Sequence, residues 1–181
     1  MAPLLVVTGP SGVGKGTLIR ALMARVDGLA LSVSATTRHP RPGERDGVDY
    51  HFLSEPEFLA RVERGEFLEH ARYAGNLYGT PRSELERDCR GLVLEIEVQG
   101  ARQVREALPE AVRVFIEPPS LDALKVRLEG RGSEDPDAIE RRLAVATKEM
   151  QAREEFGTRI VNDDLERAVQ ELVDLVATMS G

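Results

Sequence analysis

The chain has 181 residues, of which 41% are hydrophobic, 30% charged and 4% aromatic, with no Trp and a net charge of −7. That length supports one proper core and excludes two large independent domains, and no apolar run approaches the roughly 20 residues of a bilayer-spanning helix. The acidic balance excludes a general nucleic-acid binder, whose affinity rests on Lys and Arg neutralising phosphates.

One cysteine, Cys89, excludes an internal disulfide framework and a Cys-based zinc site. The opening Met-Ala-Pro has neither the positive charge nor the cleavage site of a secretory signal, so a reducing, cytoplasmic setting is expected. Of the 24 basic residues only Lys15, Lys125 and Lys148 are lysines. Arg suits bidentate phosphate and carboxylate recognition, although genomic base composition is by itself the favoured explanation of such a bias.

In chain order, Leu4 to Val7 reads as a strand entering a glycine loop, Gly9 to Thr17, and Leu18, Ala21, Leu22 and Val26 recur at helical spacing. Leu29 to Ala35 is a second short strand, and Thr36 to Gly47 a Pro- and Gly-punctuated loop. Tyr50 to Phe52 and Phe67 to Tyr73 are strand-like, with a short helix between them from Glu55 to Arg64. A tight turn at Gly75-Asn76 leads into Tyr78 to Thr80, and Pro81 is expected to open a helix reaching Asp88. Leu92 to Glu97 reads as a buried strand, Ala101 to Leu108 as a helix and Val112 to Glu117 as a strand. Ser120 caps a helix from Leu121 to Glu129. A connector, Gly130 to Pro136, precedes a long helix from Asp137 to Glu155. A strand, Arg159 to Asn162, and a helix, Leu165 to Met179, close the chain. Strands alternating with helices predict an α/β fold with a central parallel sheet covered on both faces.

The glycine loop carries the sharpest signal. Gly9-Pro10-Ser11-Gly12-Val13-Gly14-Lys15-Gly16-Thr17 stands between a strand and a helix, the context that a phosphate-binding loop requires. Its glycines let backbone N–H groups turn inward around phosphate oxygens. The helix N-terminus adds positive dipole, and Lys15 reaches the outer phosphates. The chain is therefore expected to bind a nucleoside triphosphate. Gly16 occupies the place of the usual Mg²⁺-ligating hydroxyl, with Thr17 following. This Gly-Lys-Gly-Thr ending resembles the loop of adenylate kinases, in which the metal is held largely through water. Mg²⁺ on the phosphates is expected all the same.

A second informative stretch runs from Ser34 through Thr36-Thr37-Arg38 and Arg41 to Tyr50. Two arginines in a proline-stiffened loop suit a phosphate clamp, yet alone such a pair is more often solvated charge. Phe67-Leu68-Glu69 and Gly75-Asn-Leu-Tyr78-Gly-Thr80 follow. Val98-Gln-Gly-Ala101, Arg127-Leu-x-x-Arg131-Gly and Ile160-Val-Asn-Asp-Asp-Leu165 complete the set. Together with the glycine loop these stretches resemble the guanylate kinases over nearly the whole chain.

The resemblance implies a three-layer P-loop core (1–33, 81–124 and 156–181), a mixed-sheet GMP-binding lobe (34–80) and a helical lid (125–155). It implies transfer of the γ-phosphate of ATP to GMP, in guanine nucleotide metabolism and recycling. By resemblance, Arg38, Arg41, Tyr50 and Tyr78 hold the GMP phosphate, while Ser34, Glu69, Thr80 and Glu97 face the guanine. Arg127 and Asn162 belong with ATP, and Arg131 and Arg142 act from the lid beside Lys15 and Arg38 in catalysis.

Guanine presents N1–H and a 2-amino group, two donors that a carboxylate such as Glu69 can accept, whereas adenine would leave it unpaired. Glu95 and Glu97, where the family usually has Asp, stand two residues apart and are expected on one face of the Leu92 to Glu97 strand. Glu95 would meet the metal through water, and no direct protein ligand to Mg²⁺ is expected. The expected partners are the small molecules ATP and GMP, with neither nucleic acid nor membrane; the oligomeric state stays open.

Two other classes compete. A guanylate-kinase-like module binding a phosphorylated peptide would tolerate loss of the glycine loop, which is present here. A GTP-hydrolysing switch would need Asn-Lys-x-Asp after a late strand, where this chain has Asn162-Asp163-Asp164.

Overall fold

The computed structural model describes residues 2–130 and 136–179. Its contacts divide the chain into two units, Met1–Leu4 with Gly28–Ala111 and Leu5–Asp27 with Val112–Gly181.

The first unit holds one parallel pair and one mixed sheet. β2 (Leu29–Leu31) lies parallel to β7 (Gly91–Glu95). β3 (Ala35–Thr36), β4 (His51–Phe52), β5 (Phe67–Tyr73) and β6 (Asn76–Pro81) form a sheet in the order β4-β3-β6-β5. β3 runs parallel to β4 and antiparallel to β6, so this sheet is mixed, as expected. Helix α2 (Glu55–Glu63) starts at Ser54, whose hydroxyl accepts from the Glu57 N–H. Its Phe58 stacks on Phe67 at 4.5 Å between ring centroids, in a small core with Ala35 and Leu77. Helix α3 (Val98–Ala107) packs on β5.

The second unit is built on β1 (Leu4–Thr8), β8 (Val112–Glu117) and β9 (Thr158–Val161), parallel in the order β1-β8-β9. Buried runs such as Leu5-Val6-Val7 and Val114-Phe115-Ile116 are the pattern of strands covered on both faces. Helices α1 (Lys15–Arg25) and α6 (Leu165–Thr178) pack together. Helix α4 (Leu121–Glu129) packs on α5 (Pro136–Gln151) through Leu124, Leu128 and Ala146. The Ser120 hydroxyl accepts from the Ala123 N–H at 3.0 Å, which confirms the expected cap of α4.

Several expected elements change. The strand expected over Leu29 to Ala35 is two strands in different sheets. The switch lies at Ser32–Val33, where the Ser32 N–H donates to Val93 O and the Val33 N–H to the Glu84 carboxylate. The hairpin turn is Ala74-Gly75, one residue earlier than expected, because Tyr73 pairs with Asn76. Both turn residues have positive φ, 47° and 84°, as a two-residue type I′ loop requires. Pro81 opens no helix: it is extended (φ −61°, ψ 140°), ends β6, and is followed by a 3₁₀ turn, Arg82–Glu86. The helix expected from Asp137 to Glu155 ends at Gln151 and continues as a 3₁₀ turn, Ala152–Glu155. The strand expected to reach Glu97 stops at Glu95, and α3 begins at Val98, three residues before its expected start. Glu97 is thus the N-cap of a helix and not a strand partner of Glu95.

Candidate active site

The phosphate loop is built by backbone conformations that only glycine adopts without strain. Gly9, Gly12 and Gly14 have φ of 145°, 83° and 102°. Space is short as well. A Cβ on Gly14 would lie 2.6 Å from the Asn162 amide nitrogen, and one on Gly12 would lie 2.6 Å from a Leu128 methyl. Gly14 is the N-cap of α1, whose first turn contains no acidic residue, so the positive end of the helix is left for an anion. Lys15 is 8% exposed and folds back on the loop, donating to Gly9 O at 2.6 Å and Pro10 O at 3.3 Å. Gly16 adds no side chain, and the Thr17 hydroxyl is exposed, accepting from Arg20 at 3.3 Å.

Three expected residues meet this loop. Arg142 donates to the Ser11 hydroxyl at 2.8 Å. Arg127 donates to Val13 O at 3.1 Å and to Asn162 O at 2.6 Å. Asn162 is buried, and its amide donates to the same Val13 carbonyl at 2.8 Å. Arg127 and Asn162 thus both bond the loop backbone at Val13. Arg131 lies outside the described residues.

The expected acceptor residues all lie in the other unit. Arg38 leaves the end of β3 with its N–H donating to the Thr36 hydroxyl at 3.1 Å, and that hydroxyl donates to Leu77 O at 3.0 Å. Its guanidinium grips Glu44 at both oxygens (3.0 and 2.9 Å) and lies over the rings of Tyr50 and Phe52, 5.4 and 5.9 Å from their centroids. Glu44 also accepts from the Arg41 N–H at 2.7 Å, so one carboxylate shapes the whole loop between the two arginines. The bond from Arg38 holds the Glu44 carboxyl below its usual range, and Glu44 in turn raises the Arg38 guanidinium. Sequence reasoning assigned Glu44 no role; its signal was an acid placed between arginines in a Pro-rich loop. The Arg41 side chain is exposed, and Tyr50 and Tyr78 meet edge to face at 6.1 Å. Burial, then Glu95, pushes the Tyr50 hydroxyl up, which keeps it a proton donor.

Glu69 is the most unusual group in this unit. It is 4% exposed, and its Oε1 accepts from the Thr80 hydroxyl at 2.7 Å. Burial pushes its pKa up to about 7 against the pull of Thr80, and Glu97 adds repulsion. The Oε2 of Glu97 is itself buried and has no hydrogen-bond partner among the described residues. Two carboxylates with buried acceptor capacity therefore face one another's field. Ser34, half-buried, lies just before β3, and its carbonyl accepts from the His51 N–H at 2.9 Å. Glu95 is exposed at the C-terminal end of β7. Among the described residues no group of three or more His, Cys, Asp or Glu side chains is arranged to hold a metal, and no helix is long and apolar enough to cross a membrane.

A family model described as guanylate kinase matches residues 1–179. The guanylate kinase of Rubrobacter xylanophilus is 53% identical over 176 residues, spanning 96% of this chain and 92% of that protein. The guanylate kinase of Thermosynechococcus vestitus is 55% identical over 169 residues, spanning 92% of this chain and 88% of its own. In three dimensions, the crystal structure of guanylate kinase from Anaplasma phagocytophilum superposes with a TM-score of 0.78 at 32% identity, covering 99% of this chain and 86% of that one. Likeness in sequence and in fold thus runs from one end to the other, through the glycine loop and the Glu69 lobe alike, and the chain belongs to the guanylate kinase family.

Proposed function

We infer that the chain catalyses the reaction of its family, ATP plus GMP giving ADP plus GDP, with the phosphate loop as donor site and the Glu69 lobe as acceptor site. The observation that carries the choice of acceptor is buried Glu69 with half-buried Glu97 close enough to repel it, the Glu97 Oε2 being buried as well. A carboxylate held away from water needs N–H donors, and the N1–H and 2-amino groups of guanine are such a pair. Adenine lacks both and would leave the carboxylate unpaired, a penalty that can reach ~10⁴-fold in discrimination.

The phosphate of GMP is proposed to lie with Arg38, Arg41, Tyr50 and Tyr78. Arg38 enters already aligned, its fork set by Glu44 and by the Tyr50 and Phe52 rings. Ser34 is proposed to meet the guanine edge, and Thr80 to orient the Glu69 carboxylate that reads it.

On the donor side the loop amides and the start of α1 cradle the phosphates. Lys15, displaced from the Gly9 and Pro10 carbonyls, would follow the outer phosphates through transfer. The nucleophile is an already ionised phosphate oxygen, so no general base is required. Catalysis then consists of alignment and of neutralising charge on the transferred group, the role proposed for Arg38, Arg142 and Arg131.

Guanylate kinases act with a divalent metal, and Mg²⁺ is proposed for this one. The donor set fits an ion held mainly by the nucleotide and water. Gly16 offers no hydroxyl, the Thr17 hydroxyl is exposed, and Glu95 is an exposed carboxylate able to accept from metal-bound water. When bound, Mg²⁺ would supply positive charge that offsets the negative charge of the ATP phosphates.

The test is a coupled ADP-release assay with ATP and each of GMP, dGMP, AMP, CMP and UMP. Turnover is expected with GMP and, at most weakly, with AMP, CMP and UMP. Absence of GMP-dependent turnover would move the assignment to a phosphopeptide-binding module.

A further inference from the structure

The Glu69 carboxylate does not hold its place through its own strand alone. β5 is an edge strand, hydrogen-bonded to β6 on one side. Its ladder is irregular between Phe67 and Glu69, the position at which a bulge re-aims a side chain. An edge with a bulge is the least constrained part of a sheet, and a carboxylate reading a base must be held to within about 0.5 Å.

Helix α3 supplies the missing constraint. The amide of Gln103 bonds both backbone groups of His70, the residue after Glu69. Its oxygen accepts the His70 N–H at 3.1 Å, and its nitrogen donates to the His70 carbonyl at 2.7 Å. One side chain thus takes the place of a neighbouring strand for one residue of β5. One turn earlier, Gly100 meets the Glu69 side chain itself. A Cβ built on Gly100 would overlap the Glu69 Oε2 and stand 2.9 Å from its Cδ. Gly100 has no need of a special backbone conformation; it is needed for the space. Glu97, a further turn back, caps the same helix with no side-chain capping bond of its own. Glu97, Gly100 and Gln103 recur at intervals of three, so they lie along one face of α3.

We propose that Gly100 and Gln103 are positioning residues for guanine recognition, locking the edge strand and admitting the Glu69 carboxylate so that it and Glu97 present their acceptors as one rigid unit. This rests on the assignment of Glu69 to the guanine. It adds a specificity device on a helix that itself contributes only Glu97 to the base.

The test compares Gln103→Met, which keeps length and loses both hydrogen bonds, with Glu69→Gln and the double variant. Gly100→Ala is the second probe. Gln103→Met is expected to raise KM for GMP roughly tenfold, with kcat within about twofold and KM for ATP unchanged. It should also lower the ratio of kcat/KM for GMP over inosine monophosphate, which lacks the 2-amino group, and speed hydrogen exchange at the His70 amide. Because Gln103 acts through Glu69, the double variant should lose no more GMP selectivity than Glu69→Gln alone. Gly100→Ala should reproduce the selectivity loss, and unchanged ATP binding in each variant checks that the protein is folded.

If Glu69→Gln impairs GMP use while Gln103→Met changes neither KM nor the GMP-to-inosine ratio, the positioning role is overturned and the Glu69 assignment stands. Additive losses in the double variant would overturn it too. Normal GMP use by Glu69→Gln would overturn the assignment of Glu69, and the positioning role with it.

Discussion

At the scale of single residues, the behaviour of Glu69 follows from where it is buried. Its pKa is raised to about 7 from an ordinary 4.5, so the folded state keeps a proton that the unfolded state has lost between those values. Stability attributable to this group is present below about pH 4.5 and is lost as pH rises through 7. Glu69→Gln, which cannot ionise, should therefore melt higher than the parent at pH 8 and nearly equal to it at pH 4.5. The shift is worth about 3 kcal/mol at most, and thermal melts across pH read it. The same substitution should raise KM for GMP, and it should flatten that part of the rise in KM below pH 7 that comes from protonating Glu69. Lys15 is the other residue on which much depends. Lys15→Ala removes the one cationic side chain of the glycine loop and is expected to lower kcat about a hundredfold or more, with an unchanged far-ultraviolet circular dichroism spectrum.

Elements show how local chemistry and packing divide the work. The β5–β6 hairpin turns through Ala74-Gly75, and Ala74 holds φ 47°, a conformation costly for a residue with a Cβ. Ala74→Gly should stabilise the protein by roughly 0.5–1 kcal/mol by relieving that strain, visible as a higher midpoint in urea. The phosphate loop is the opposite case. Gly14→Ala puts a Cβ against the Asn162 amide at a φ of 102°, and should abolish ATP binding in a titration while GMP binding in the other unit persists.

Elements also show where sequence patterns mislead. Pro81 looked like the first residue of a helix because proline is favoured there. Its extended ψ and its pairing opposite Phe67 make it the last residue of β6 instead. Leu92 to Glu97 reads as a buried strand to its end, but the ladder stops at Glu95 and Glu97 turns into a helix cap. An apolar run is a local pattern; ladder length depends on which strand lies alongside.

For the molecule as a whole, the net charge of −7 says little about either nucleotide site. Thr36 to Arg45 carries a local charge of +2, and Asn162 to Asp174 a local charge of −4. The charge is segregated, with Arg38 and Arg41 in the acceptor loop and acids along α6. Candidate donor and acceptor residues fall in separate units, so each nucleotide should stabilise the protein by itself. GMP alone and ATP with Mg²⁺ alone, each at about 100 times its Kd, should each add roughly 2.7 kcal/mol. Thermal shifts with single nucleotides check this; a shift seen only with both present would contradict it.

The sequence by itself determined the phosphate loop, the cap at Ser120 and the alternation of strands with helices. Glycine conformations, hydroxyl caps and hydrophobic period are all set within a few residues. It determined the identity of Glu69, Arg38 and Thr80 as candidates, through resemblance in short words. Tertiary structure alone decided that Glu69 is buried enough to stay half-protonated near neutrality, and that Glu44 aligns Arg38. It alone decided that a glutamine and a glycine on α3 hold Glu69 in place. The Glu69 properties depend on desolvation and on contacts between residues some 30 positions apart, and the Arg38–Glu44 pair on how the loop between them folds back. Neither desolvation nor contact at that separation is encoded in any short stretch of the chain.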